Sequence, residues 1–164
     1  MTDFQNTKAL LDQWVADGTM PGASVLVQQR GVRLFEYATG LARAEPRLPA
    51  TVDGLWAVAS ISKPVTTSAI MQQVEAGRVS LDQPVVELLP EFGPGKEKVL
   101  VRHLLTHSSG LSDRWEYADV NSIDERVALL GKQRLLYEPG TACQYTNFDM
   151  DLASAIVQRL SGLD

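Results

Sequence analysis

The chain has 164 residues, 45% of them hydrophobic and 21% charged, a balance that excludes intrinsic disorder and suffices for one domain with a buried core. Its formal net charge of -5 comes without any basic run, which excludes nucleic acid as a partner, because clustered Lys and Arg are needed to neutralise phosphates. Cys143 is the single cysteine, so no intrachain disulfide is expected and no cysteine-based metal site.

Phe4, Leu11, Trp14 and Val15 recur at helical spacing behind a Thr2 or Asp3 cap, and Gly18 closes this first amphipathic helix. The same segment lacks the basic-then-apolar order of a secretory leader, and no apolar run is long enough to cross a bilayer, so a leaderless, cytoplasmic protein without a membrane partner is expected. Ala23 to Gln29 and Val32 to Thr39 flank Arg30-Gly31 and predict a β-hairpin. From Ile61 to Ala76 the pattern turns helical, with Pro64 tolerable only near the first turn, so that helix starts close to Ser60. Leu81 to Phe92, interrupted by Pro84 and Pro90, reads as an irregular segment with one helical turn. Val101 to Thr106 is a brief helix that stops before Ser108-Ser109-Gly110. Ser122-Ile123-Asp124-Glu125 has capping-box form. Glu138-Pro139-Gly140 marks a turn, and a last helix runs from Phe148 to Leu160 with Gly162 as its stop signal. The order is helix, two strands, then helices, with no repeat and no interdomain linker.

Chemistry concentrates in two places. Ser60 and Lys63 are three apart at a helix start, and residues i and i+3 share a face, so the Lys63 amine reaches the Ser60 hydroxyl. A serine needs a base to become a nucleophile, and a lysine is a base only when neutral. Ordinary lysines titrate at about 10.4, so a lysine in that role is tuned towards roughly 7 to 8 by apolar surroundings and positive potential. Leu55, Trp56, Val58 and Ile61, with the helix N-terminus, are expected to provide them. Tyr145 offers a phenol for proton transfer, and Asn147 an amide for a substrate carbonyl or for Lys63. Each residue also has a plain structural role open to it: Ser60 as a helix cap, Lys63 as a solvated helix residue, Tyr145 as a packed ring, and Asn147 as the cap of the last helix.

Other titratable groups read as structural. His103 and His107 have the four-residue spacing of a helical metal pair, but position 104 is leucine and no third ligand follows, so no metal site is expected. Asp149 and Asp151, and Glu87 with Glu91, read as solvated faces or caps. No Gly-x-x-x-x-Gly-Lys run exists for a nucleotide, and no cofactor is expected.

The stretch Leu55-Trp56-Ala57-Val58-Ala59-Ser60-Ile61-Ser62-Lys63-Pro64-Val65-Thr66 resembles the active-site segment of the serine β-lactamase-related family, which groups class C β-lactamases, D-alanyl-D-alanine peptidases and family VIII esterases. The similarity continues in order through Gly77-Arg78-Val79-Ser80-Leu81-Asp82-Gln83-Pro84-Val85 and Leu88-Leu89-Pro90-Glu91-Phe92. It then runs through His103-Leu104-Leu105-Thr106-His107-Ser108-Ser109-Gly110-Leu111 and Tyr137-Glu138-Pro139-Gly140 to Tyr145-Thr146-Asn147. The resemblance implies Ser60 as the acylated nucleophile, Lys63 as base or proton relay, Tyr145 as the second acid/base group and Asn147 as a substrate and lysine contact. It also implies that the Ser60 N–H forms half of an oxyanion hole. Tyr-x-Asn, in place of Ser-Asp-Asn, points to the class C and esterase side of the family.

The implied fold is α+β and β-lactamase/transpeptidase-like. Residues 1–54 give a helix and the N-terminal hairpin of an antiparallel sheet, and residues 55–164 give a mostly helical part that carries both motifs. The family's third motif, Lys-Thr-Gly or His-x-Gly on a strand, has no counterpart after Asn147. The C-terminal strands are therefore expected to be absent and the chain to be an N-terminal fragment, inactive alone and prone to self-association through the hairpin edge. The expected function is a serine hydrolase acting through an acyl-enzyme on a small ester or β-lactam-like amide, with an esterase favoured. A non-catalytic, penicillin-recognising-fold binding protein is the alternative.

Overall fold

A computed structural model of the chain describes residues 4–113, 120 and 122–162. It divides into two compact units, Met1–Val58 and Ala59–Asp164. All the described strands lie in the first and five of the six described α-helices in the second, which makes the architecture α+β.

In the first unit, helix α1 spans Gln5–Ala16. The expected Thr2 or Asp3 cap lies outside the described residues, and Phe4 occupies the N-cap position without a side-chain bond. The helix is secured along its side instead. Phe4 stacks on Phe35 with ring centroids 4.9 Å apart, and Phe35 on Tyr37 at 6.0 Å. The Tyr37 hydroxyl donates to Asp12 Oδ1 at 2.5 Å while Lys8 Nζ donates to Asp12 Oδ2 at 2.7 Å. The Lys8 ammonium, helped by Tyr37, holds the Asp12 carboxyl down at about 2.

Strands β1, Gly22–Gln29, and β2, Val32–Arg43, pair antiparallel from Gly22↔Gly40 to Gln29↔Val32, with a bulge between Val27 and Gln28. Arg30 and Gly31 both take positive φ, 48° and 80°, as a two-residue turn matched to strand twist requires. The expected two-stranded hairpin is corrected to three strands: β2 continues past Thr39, and Leu41 and Arg43 pair with β3, Leu48–Pro49. A two-residue strand ending in proline has no alternation to read. Gly40 is needed where the strands meet, since its φ is 73° and an added Cβ would lie 2.8 Å from Gly22 Cα.

The second unit opens with a 3-10 turn, Ala59–Ile61, that feeds helix α2, Ser62–Glu75. Pro64 falls in its first turn, where the missing N–H costs nothing. The segment expected to hold one helical turn holds two short elements, helix α3 at Val85–Leu88 and a 3-10 turn at Pro90–Phe92. Helix α4 is Val101–Leu105, α5 is Ile123–Gly131 and α6 is Phe148–Ser161. Ser122 Oγ accepts the Glu125 N–H at 3.2 Å and so caps α5, and Gly162 ends α6 in the left-handed region at φ 66°.

Helix α6 is the axis of this unit. Phe148, Leu152 and Ile156 recur every four residues and, with Ala153 and Ala155, form a buried face that packs with Ile70 of α2, Leu104 of α4 and Val127 and Leu130 of α5. Leu89 and Phe92 extend the same core, each fully buried. Such burial is worth about 1.5–3 kcal/mol per large side chain. At the far end Arg159 donates to both carboxylate oxygens of Glu91, at 2.9 and 2.6 Å, and to Asp124 at 3.0 Å. Only Ile70 and Gln73 of α2 are buried, while Val65 and Met71 are exposed. Among the described residues no helix is long and apolar enough to cross a membrane.

Gly131 sits where α5 meets the Pro90–Phe92 turn, and an added Cβ would stand 2.6 Å from Glu91 O and 2.9 Å from Phe92 O. At an unhindered helical site Gly→Ala adds about 1 kcal/mol of stability. Here Gly131→Ala is expected to cost about 1–3 kcal/mol, seen as a lower urea midpoint at unchanged slope. A variant as stable as the parent would contradict this packing.

Candidate active site

The local backbone presents the site residues under strain. Three described non-glycine residues have positive φ: Arg30, Ala59 and His107. Arg30 belongs to the hairpin turn. Ala59, at φ 45°, precedes Ser60, and His107, at φ 53°, packs its ring against Tyr145 with centroids 4.8 Å apart. Such conformations cost on the order of 1 kcal/mol each and collect at functional sites.

Ser60 Oγ lies 2.6 Å from the Tyr145 hydroxyl. Lys63 Nζ donates to Ser60 Oγ at 3.2 Å and to Asn147 Oδ1 at 2.7 Å. The ammonium also sits 4.8 Å from the Tyr145 ring centroid. All four residues singled out in the sequence therefore meet in one hydrogen-bonded cluster, assembled from the start of α2 and the approach to α6. The capping alternatives are not taken up. Ile61, not Ser60, is the N-cap of α2, and Asn147 is at the N-cap of α6 with no side-chain cap bond, its amide being engaged with Lys63.

Leu55, Trp56, Val58 and Ile61, expected to be apolar cover, are each exposed. Tyr145 has a perturbed phenol. It is held below the usual tyrosine value by polar contact with Lys63 first and Ser60 second, against desolvation and a smaller push from the Asp113 charge.

Asp113 has no motif around it and was not singled out in the sequence. Its Oδ1 accepts from Thr146 Oγ1 at 2.5 Å and from the Asn147 N–H at 2.8 Å, and its Oδ2 from Asn147 Nδ2 at 3.4 Å. Thr146 Oγ1 in turn accepts the Phe148 N–H at 3.1 Å, bracing the first turn of α6. Only the spacing of a carboxylate shortly after the Ser109-Gly110 turn hinted at it, and that is no signal without the path of the returning chain.

Asp149 corrects a second expectation. Read as a solvated or capping carboxylate, it is fully buried, with Oδ2 3.3 Å from His107 Nδ1. Burial pushes its carboxyl up to about 8, with the Ser109 hydroxyl pulling the other way, while burial and then the Lys63 charge lower His107. Asp151 pairs with Arg126 at 3.4 Å and Glu91 with Arg159 at 2.6 Å. His103 and His107 do not share a helix face, because α4 ends at Leu105. His103 Nδ1 accepts the Leu100 N–H at 3.2 Å, while His107 turns to Asp149. Among the described residues no group of three or more His, Cys, Asp or Glu is arranged to hold a metal ion.

A family model described as Beta-lactamase matches residues 7–164. Esterase EstB of Burkholderia gladioli is 34% identical over 176 residues, covering 94% of this chain and 44% of the esterase. Of the solved structures, EstCE1, a hydrolase with promiscuous acyltransferase activity, matches with a TM-score of 0.86 at 26% identity, over 97% of this chain and 47% of its own. A class C β-lactamase in complex with cefoxitin matches with a TM-score of 0.84 at 28% identity, over 98% of this chain and 46% of its own. The chain thus spans less than half the length of each of these three relatives. These matches establish the β-lactamase/transpeptidase fold for the part the chain covers, and with it that the chain belongs to the serine β-lactamase-related family.

Proposed function

We propose that the chain carries the acylating centre of a serine hydrolase that acts on a small ester, with β-lactam or other activated amides as its secondary substrate class. The observation that carries this reading is the bracketing of Ser60 Oγ between the Tyr145 hydroxyl at 2.6 Å and Lys63 Nζ at 3.2 Å. The similarity to an esterase, EstB, supports the ester preference, and that to EstCE1, a hydrolase with promiscuous acyltransferase activity, supports acyl transfer.

The proton order of this reading follows from taking Lys63 as an ammonium. An ammonium has donors only, so Lys63 donates to Ser60 Oγ and to Asn147 Oδ1. The hydroxyl proton of Ser60 then has Tyr145 as its acceptor, and the lowered phenol supplies the phenolate that takes it. As Oγ bonds the carbonyl carbon, the C=O electron pair moves to oxygen, where the Ser60 N–H is assigned as one oxyanion donor by the family resemblance. Collapse expels the alkoxide or amine, which takes the proton back from Tyr145. Water, or a second alcohol, then reverses the sequence and frees Ser60. Each oxyanion donor is worth about 100- to 1000-fold in rate. Covalent labelling of Ser60 measures the acylation step directly.

A fluorophosphonate or a fluorescent penicillin is expected to label the chain once, at Ser60, with the label lost in Ser60→Ala. Binding of the penicillin that persists unchanged in Ser60→Ala would instead support a non-catalytic binding protein.

The rate of labelling should rise with pH as the Tyr145 phenol ionises, with its midpoint below the ordinary value of about 10. Lys63→Met removes the group that lowers the phenol and should move the midpoint up. Tyr145→Phe should remove the limb and slow labelling by about 100- to 10,000-fold. A limb retained in Tyr145→Phe would transfer the base role to Lys63.

We also propose self-association along β1, which pairs with β2 on one side only among the described residues. Sedimentation should show concentration-dependent dimers that Ser24→Pro abolishes, because the pairing register turns the Ser24 N–H away from β2, and a monomer at all concentrations would refute it.

A further inference from the structure

We propose that Asp113 is a positioning residue that decides which way the Asn147 amide faces, and through that amide holds the Lys63 ammonium on Ser60. The inference rests on the acylating role of Ser60 set out above.

An asparagine side chain is nearly symmetric in shape, and only its neighbours distinguish the oxygen from the nitrogen end. On one side of Asn147 stands Lys63, which has donors and no acceptor. On the other stands the Asp113 carboxylate, which has acceptors and no donor. The observed arrangement satisfies both: Lys63 Nζ to Oδ1 at 2.7 Å, and Nδ2 to Asp113 Oδ2 at 3.4 Å. Turning the amide over would set N–H against the ammonium and oxygen against the carboxylate, two repulsive contacts in place of two bonds. Asp113 therefore locks the amide in one of its two orientations.

The same carboxylate anchors the backbone that carries the amide. Its Oδ1 takes the Asn147 N–H at 2.8 Å and the hydroxyl of the fully buried Thr146 at 2.5 Å. The two oxygens thus have separate tasks: Oδ1 fixes where residue 147 sits, and Oδ2 fixes how its side chain is turned. This division makes the two tasks separable by mutation. Asp113→Asn keeps an oxygen for Thr146 and for the Asn147 N–H but replaces the second acceptor by an NH2 group that faces Nδ2 of Asn147. The preferred amide orientation is then reversed without loss of the loop bonds. Exchanging the two residues, Asp113→Asn with Asn147→Asp, restores the complement: the amide introduced at position 113 donates to one oxygen of the carboxylate introduced at position 147, and Lys63 donates to the other.

The test measures fluorophosphonate labelling of Ser60 against pH in the parent chain, Ser60→Ala, D113N, N147D and the exchanged double variant, with thermal melts to confirm folding. D113N and N147D are each expected to label about 10- to 100-fold more slowly. The double variant should recover most of that loss on the plateau of the pH profile. Its limb should be moved to higher pH, because the carboxylate now lies against Lys63 and nearer the Tyr145 phenol, which faces Lys63, His107 and the Asp113 carboxylate in the parent. A residue that served the loop alone would show no such rescue and no such shift. Parent-like labelling by either folded single variant, or a double variant no faster than the singles, would overturn the inference while leaving the acylating centre intact. Labelling that survives in Ser60→Ala would instead remove the reading beneath it.

Discussion

The Lys63 ammonium, held between Ser60 Oγ at 3.2 Å and Asn147 Oδ1 at 2.7 Å, is the interaction on which the rest of the site depends. It joins two stretches of chain 84 residues apart in sequence and gives the cluster its proton order. In the proposed mechanism the ammonium donates to the serine oxygen and the serine proton passes to Tyr145, whose phenol is held below its usual value by its contact with Lys63. Without it, Ser60 and Tyr145 would be two hydroxyls with no defined donor.

The span of that interaction is set by packing. Ile70, two turns after Lys63 on α2, and Phe148, Leu152 and Ile156 on α6 belong to one buried cluster, so the start of each helix is held by side chains further along it. A close-packed interior transmits small displacements because it has few voids to absorb them. The bonds from Asp113 to Thr146 and Asn147 do for the entrance of α6 what the core does for its body. The strain at His107 is tolerable because its backbone is held from outside: its carbonyl accepts the Gln144 N–H at 2.8 Å.

Much of this was legible in the sequence. Every helix with apolar residues at three- and four-residue spacing was visible, as was the Arg30-Gly31 turn, because each signal is local. The Ser60, Lys63, Tyr145 and Asn147 set was visible because each member sits beside a punctuating element, a helix start or a Pro-Gly turn. The third strand was not, since Leu48 and Pro49 are too few to alternate. Asp113 and Asp149 were not, for a different reason. Whether a carboxylate is solvated or aimed inward depends on where a distant segment returns, and the chain around Asp149 has the same composition as the chain around the half-buried Asp151. The apolar residues before Ser60 misled in the opposite sense, because hydrophobicity in the sequence says that a surface is costly in water and not which element covers it.

That last mismatch bears on which group removes the serine proton. A lysine becomes a base by losing its proton, and the two effects that favour this are burial among apolar groups and nearby positive charge. At Lys63, Nζ donates to a hydroxyl and to an amide oxygen. A tyrosine becomes a base by gaining negative charge, which a fixed ammonium promotes in solvent-exposed surroundings as well as in buried ones. In the proposed mechanism this makes Tyr145 the base. Lys63 serves there as the cation that orders the serine hydroxyl and steadies the phenolate. Covering the exposed apolar residues near the site would strengthen this division of roles, since the attraction between ammonium and phenolate grows as water is excluded.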